Sequence, residues 1–487
     1  MRRIRFIYVC VPLLLLGLGC RAPTSAVRTA TAPSAASQVV ASQPSANVDS
    51  GEPALSNQKA SAAVKPISHE ELPRGNQAAT VAIAPGQATS DELTLEWLVA
   101  EVQAVHPSLS AMYAAWQAAA QRYPQVVALD DPMFMTMMAP ASFNSSSVEG
   151  AYILQMSQKL PWFGKRGTKG AMAAAETDAA ANDLEDSRIQ LQLVTQYAFY
   201  DYYLVARQLE LSQQNLRLMK EFRGTAQTKY AANQVTQQDI LQADVELADI
   251  ERRQIELSRM HNVARARINT LLRQRPDSAL PQPPRELPGE TRTEGNEFFQ
   301  QAALGQRPDL SAIAHRVQAD EAALALAYKQ YYPDFDLYGR YDTFWQPAST
   351  QGDLRGSVGM NVNVPIYRQK LNAAVCEAQF RLNKRRAEYD QKVADIQYEV
   401  QSAYEQVEES RRTLALYRER LLPSSRQNVE AARANYEVGK LNFLDLATAQ
   451  RQLVMMQEKH QEALVTYHRR LAELQRVAGN SVVPADH

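Results

Sequence analysis

The sequence predicts a mainly α-helical chain with a small β part, built as two copies of one unit: a helix, a β-hairpin and a long helical hairpin. Three observations predict it. Landmarks recur at a near-constant offset, apolar residues repeat every 3.5 positions over long glycine-free stretches, and short alternating segments sit between the helices.

The duplication comes first because it organises the rest. His106-Pro107-Ser108-Leu109 answers Arg307-Pro308-Asp309-Leu310, and Tyr123-Pro124 answers Tyr332-Pro333. Leu160-Pro161 answers Val364-Pro365, and Tyr230 with Asp239 answers Tyr436 with Asp445. The offsets are 201, 209, 204 and 206, which is an internal repeat of about 205 residues.

Each unit opens on a helix. Thr94 is placed as an N-cap with Glu96 in the first turn, and the helix should run to about Gln121. The strands read most clearly in the second unit. In 334–345, Phe335, Leu337, Tyr341, Thr343 and Trp345 share one face, and Asp336, Tyr338, Arg340 and Asp342 share the other. In 354–364 an apolar face of Leu354, Val358, Met360, Val362 and Val364 alternates with Arg355, Ser357, Asn361 and Asn363. Period-two alternation over about 11 residues suits an outer-membrane barrel strand, and it equally suits a soluble hairpin with one wet face. In the first unit Tyr152, Leu154, Met156 and Leu160 alternate with Ile153, Gln155, Ser157 and Lys159, and the partner strand falls near 126–138.

The helices that follow carry heptads. Leu371, Val375, Ala378, Leu382, Tyr389, Val393, Ile396, Val400, Ala403, Val407, Ser410, Leu414, Tyr417 and Leu421 mark one seam, and no Gly occurs from Lys370 to Val438. A 3.5 repeat of this length indicates coiled-coil packing, continuous to Tyr436 if Pro423 only kinks it. The first unit has a matching helix from about Gly170 to Tyr230, its seam running through Leu184, Leu191, Val194, Ala198, Val205, Leu209, Leu216 and Met219.

Composition narrows the function. Lys+Arg 52 against Asp+Glu 53 gives a net charge of −1, without the clustered positive charge of a nucleic-acid binder. Three cysteines are too few for a disulfide framework, and seven scattered histidines show no zinc spacing. There is no Gly-rich phosphate loop, nucleophile elbow or metal-ligand motif, so neither an enzyme nor a cofactor is expected. Arg2, Arg3 and Arg5 precede a short apolar run from Phe6 to Leu16, too short to span a bilayer. The run ends in Leu16-Gly17-Leu18-Gly19-Cys20, which resembles a bacterial lipoprotein signal with Cys20 as the lipidated residue. Plain secretory cleavage or an uncleaved anchor is the alternative. Arg21 stands where inner-membrane retention would favour Asp, which points to the outer membrane. From Arg21 to Glu96 there is no Phe, Tyr or Trp, and such a segment cannot offset its ordering entropy. The organisation is thus a signal over 1–19, a disordered tether over 20–92, repeats over 93–275 and 296–479, a proline-rich linker over 276–295 and a tail over 480–487.

Four strands cannot close a barrel, since the smallest barrels have about eight. Strands placed in lipid would therefore have to be pooled between chains, eight from two copies or twelve from three. At this point the region from Leu93 to Gly479 resembles the TolC family of outer-membrane efflux channels. The resemblance rests on the duplicated layout, on the strand ends Leu160-Pro161-Trp162-Phe163-Gly164 and Val364-Pro365-Ile366-Tyr367, and on a tip motif Tyr-x-x-Gly-x-x-x-x-x-Asp. Tyr436, Gly439 and Asp445 match that motif, whereas the first repeat keeps Tyr230 and Asp239 but has Asn233 at the Gly place.

The resemblance implies a homotrimer with a twelve-stranded transmembrane β-barrel continued by an α-helical coiled-coil barrel across the periplasm. It also implies a periplasmic adaptor and an inner-membrane pump as partners. Val438, Gly439, Lys440 and Leu441, with Asn233, Gln234, Val235 and Thr236, become the tips an adaptor docks against, or simply well-formed turns. Asp445 aligns with a carboxylate of the narrow periplasmic aperture, Asp239 is its first-repeat counterpart, and either is also suited to an N-cap. Tyr436 matches a tyrosine of the closing latch, but Leu441 replaces the latch arginine and Thr448 stands where a second Asp can occur. The stretch 161–167 looks similar to heavy-metal and cation-efflux members. The exit of a protein-secretion system and a lipid-anchored periplasmic coiled-coil scaffold without a pore are the alternative functions.

Overall fold

The computed structural model describes residues 92–138, 152–289, 294–343 and 355–479. The expected signal, Cys20, nearly all of the tether, the tail, and the strand positions Trp345 and Leu354 lie outside the described residues.

The first helix divides in two. Thr94 does cap it, its Oγ1 accepting from the Trp97 N–H at 3.4 Å, but α1 (Leu95–Val105) stops before Pro107 and α2 (Pro107–Ala120) begins there. Proline restricts the residue before it, and His106 is extended at ψ 127. A short α3 (Arg122–Val127) takes the positions where the first strand was expected to start, and β1 (Met133–Met138) begins only after Pro132. Then come β2 (Tyr152–Leu160), α4 (Lys165–Ala231) and α5 (Gln237–Leu271). The second repeat gives α6 (Asn296–Gln306), α7 (Pro308–Lys329), β3 (Asp334–Thr343), β4 (Arg355–Asn363) and α8 (Arg368–Leu416). A π-helical turn (Tyr417–Leu421), α9 (Leu422–Glu437) and α10 (Phe443–Val477) complete it.

Pro423 does not break the long helix. Lacking an N–H, it cannot bond back to its own i−4 carbonyl, and the turn before it widens so that Leu422 N–H reaches Tyr417 O. With 67 residues, α4 is roughly 100 Å long at the α-helical rise. The buried residues of α8, Leu382, Ile396, Val400, Ala403, Val407, Ser410 and Leu414, all fall on the heptad seam, whose remaining positions, at either end and at Tyr389 and Val393, are half-buried.

The two hairpins form one antiparallel sheet, ordered β1-β2-β3-β4. The β2–β3 pairing joins the repeats, with Gln155 opposite Arg340 and Leu160 opposite Phe335. Three cores lie along the helices. One is built on Phe199, Tyr202, Tyr203 and Ile268, one on Phe299, Ile396, Val400 and Leu474, and one at the far end on Met219, Tyr436 and Phe443.

The proline-rich linker is packed, not loose. Prolines cannot donate, so its carbonyls accept from side chains of the helices: Pro281 O from Tyr202, Pro276 O and Ser278 O from Asn269, and Pro288 O from His468. It also returns to the entry of α1, where Leu93 N–H bonds Gln282 O at 2.8 Å.

Candidate functional site: sheet faces, corner and helical tips

The register assigns every strand residue a face. Phe134 lies opposite Met156, Met156 opposite Gly339, and Gly339 opposite Val358, so these share one face with Leu154, Leu337, Met360 and Val362. That face is bare: Val358 is 90% exposed and Phe134 69%. The other face carries Gln155, Ser157, Lys159, Asp336, Arg340, Ser357 and Asn361. The sheet is therefore inverted relative to a soluble one, its apolar side uncovered by the chain's own helices. No helix among the described residues is long and apolar enough to cross a membrane.

The sheet meets the helices at a corner built by Pro161 to Gly167. Gly164 takes φ 80 at the start of α4, where a Cβ would come within 2.7 Å of Lys329 Nζ. Lys329 donates to Gly164 O and Thr168 Oγ1. Trp162 stacks on Tyr332 at 5.3 Å, and its backbone N–H donates to Asp334 Oδ1 at 2.8 Å. Lys165, buried, pairs with the same carboxylate at 2.8 Å. Trp162, Gly164 and Lys165 of the stretch that looked similar to cation-efflux members thus have a structural use at this corner.

The second tip ends α9 in a Schellman pattern: Lys440 N–H bonds Asn435 O at 2.9 Å, and Gly439 sits at φ 75. The first tip has the same pattern, Gln234 N–H to Lys229 O at 2.9 Å, with Asn233 at φ 56. Val438, Lys440, Asn233 and Gln234 are exposed, while Val235 and Leu441 are half-buried.

Neither aspartate is the helix cap. Asn442 Oδ1 caps α10 by accepting from Asp445 N–H at 2.9 Å, and Thr236 occupies the corresponding place before α5. Asp445 and Asp239 both stand in the first turn, where the helix dipole favours a carboxylate. Asp445 is exposed on the same strip of α10 as Thr448.

Tyr436 is buried, 2% exposed, against Phe443. Burial, and then the charge of Asp239, pushes its hydroxyl pKa up. Sequence reasoning missed its neighbour Lys229, whose ammonium donates to Tyr436 O at 2.6 Å and Glu437 O at 2.9 Å and lies 4.7 Å from the Tyr436 ring. The first repeat thus supplies a cation beside the turn that carries Leu441. The signal was Lys229 in the last turn of α4, adjacent to the Tyr230 landmark.

The chain is thus a duplicated set of long helical hairpins carrying a four-stranded sheet whose apolar side is bare. Residues 300–480 match the family model of the outer membrane efflux protein. The fold matches the outer-membrane channel OprN with TM-score 0.67 and 22% identity over 80% of this chain and 90% of that one. It matches VceC of Vibrio cholerae with 0.67 and 18% over 79% and 96%, and the open state of the MtrE channel of Neisseria gonorrhoeae with 0.66 and 17% over 80% and 89%. No curated protein sequence matches the chain. By sequence over its second repeat and by fold over both, the chain is similar to the TolC-like outer-membrane efflux proteins.

Proposed function

We propose that this chain is one protomer of a passive outer-membrane exit duct for a tripartite efflux pump. The supporting observation is the sheet: one face apolar and bare, with β1 and β4 each paired on one side only among the described residues. In hydrocarbon every unpaired backbone group costs several kcal/mol, so such edges call for other copies. Three copies of four strands make a closed cylinder of twelve, its polar face turned to a water-filled lumen. Exposed Leu241, Val245, Ile255 and Val263 along α5 supply apolar surface for the same assembly below the sheet.

In this trimer Cys20 carries the lipid anchor in the outer membrane, and the helices cross the periplasm. The tips at Val438–Leu441 and Asn233–Thr236 receive the adaptor, beyond which stands the inner-membrane pump. Asp445 recurs three times around the aperture and favours cations over anions, with Asp239 and Tyr436 behind it. The chain has no role as a catalyst; energy enters from the pump.

Detergent-extracted protein tests the proposal. Heat-modifiable trimers with single-channel conductance are expected, and a folded monomer that stays in aqueous buffer would overturn it. Asp445→Ala should change conductance or cation block. Gly439→Trp should abolish pump complementation while trimers persist.

A further inference from the structure

Four of the thirteen methionines fall within six residues, in the β1 sequence Met-Phe-Met-Thr-Met-Met. The register separates them. Met138 lies opposite Tyr152, on the apolar face, whereas Met133, Met135 and Met137 lie opposite Ser157, Gln155 and Ile153, on the face whose other residues are, apart from Ile153, mainly polar. Lipid contact does not account for these three, because they point away from the apolar side. Core packing does not either, since they are 61%, 42% and 53% exposed. β1 is thus apolar on both faces where its neighbours alternate, and the unexplained side is made of one residue type.

We propose that Met133, Met135 and Met137 form a thioether ladder that binds a soft monovalent cation, Cu(I) or Ag(I). Thioether sulfur selects such ions and ignores Mg²⁺ or Ca²⁺. Residues two apart on one strand face are roughly 6.8 Å apart, and the flexible methionine side chain bridges that span, so neighbouring pairs share an ion. Three sulfurs give two overlapping positions, Met133 with Met135 and Met135 with Met137. An ion steps between them without leaving the ladder. Weak, repeated sites of this kind let an ion enter and also leave, which passage requires. That the ladder lines a lumen rests on the duct proposed above; ion binding itself does not. Among the described residues there is no group of three or more His, Cys, Asp or Glu that could hold a metal ion.

The test is Ag(I) titration of the full-length detergent-purified protein, compared with a Met133→Leu/Met135→Leu/Met137→Leu variant and a Met138→Leu/Met156→Leu control from the opposite face. Leucine keeps volume and apolarity and removes sulfur. The triple variant should bind at least tenfold more weakly, with the control unchanged. Should the triple variant misfold, methyl-labelled methionine NMR on the unmodified chain decides: Ag(I) should shift the methyls of 133, 135 and 137 and leave 138 and 156 in place. Equal affinity in the triple variant, equal loss in the control, or no shift at the three methyls overturns the ladder. Conductance with no Ag(I) binding would reject the ladder alone, and Ag(I) binding without trimers or conductance would reject the duct alone.

Discussion

The two repeats solve the same backbone problems with different side chains. At the tips both use a left-handed residue and the same pair of hydrogen bonds, but one has Asn233 and the other Gly439. Before the returning helix the second repeat has a true side-chain cap, Asn442, while the side chain of Thr236 makes no cap bond. Before the proline-started helices, His106 Nδ1 caps α2 by accepting from Ser108 N–H at 3.3 Å. Its counterpart Arg307 is buried and bonded to Asp309 at 2.6 Å and Glu399 at 2.6 Å. Duplication has preserved geometry, and the stronger chemistry has gathered in the second copy.

The largest test of that contrast is at this last pair. Arg307→Ala leaves Asp309 and Glu399 without their main partner in a site largely withdrawn from water. The expected loss is about 3 kcal/mol, the low end for a broken buried pair, because Lys392 still faces Asp309 at 2.8 Å. His106→Ala removes only a cap, about 1 kcal/mol. Urea midpoints of the two variants check this, and equal losses would end the asymmetry.

Acid should act on the second repeat in two steps. Burial lowers the pKa of His468, stacked beside Tyr200, from the usual 6.5 to about 4, despite the bond to Pro288 O. Its neutral form is thus favoured on folding. This stability is complete above pH 6.5 and is lost as pH falls toward 4, on the order of 2–3 kcal/mol. Burial alone would raise Asp309, but the hydrogen bonds and charges of Arg307 and Lys392 outweigh it and hold the carboxyl at about 2. That contribution is lost only below 3.8. A pH series of unfolding midpoints should therefore show two losses, the upper one removed by His468→Gln and the lower one by Asp309→Asn.

Periodicity made most of the fold legible. The heptads of α8 gave its buried seam, and alternation gave the faces of β3 and β4, because each pattern follows from the local geometry of its element, 3.5 residues per turn in the coiled helix and two per pleat in the strand. What failed was non-local or steric. Val194, placed on the α4 seam by spacing, is 37% exposed, since that helix meets several partners along its length. The joining of both hairpins through β2 and β3 has no sequence signature. Neither does the Lys229 contact, which spans 207 residues to Tyr436. The methionines of β1 were visible in the sequence, but only the register with β2 shows which face they take.

A smaller effect sharpens the comparison of tips. Gly439→Ala places a Cβ in open space, so its cost is conformational alone, about 1 kcal/mol for a left-handed alanine. Asn233→Gly should instead stabilise its tip by a few tenths of a kcal/mol. Hydrogen exchange of the tip amides measures both, and equal responses would mean that Asn233 is no more strained than Gly439.

The smallest effect tests whether the tips act as one. Lys229 is half-buried in the first repeat, and its two acceptors are carbonyls at the end of α9 in the second. A cation there satisfies groups the helix leaves open and complements its dipole. Lys229→Met keeps the aliphatic stem and removes the charge, and should cost under about 1 kcal/mol. Exchange at 436–441 should quicken while 396–414 stays protected. Lys229→Arg should restore protection, because a guanidinium donates to the same carbonyls. If Lys229→Met quickens exchange only around its own turn at 229–234, the ammonium serves the first repeat alone, and the two tips are neighbours without being coupled.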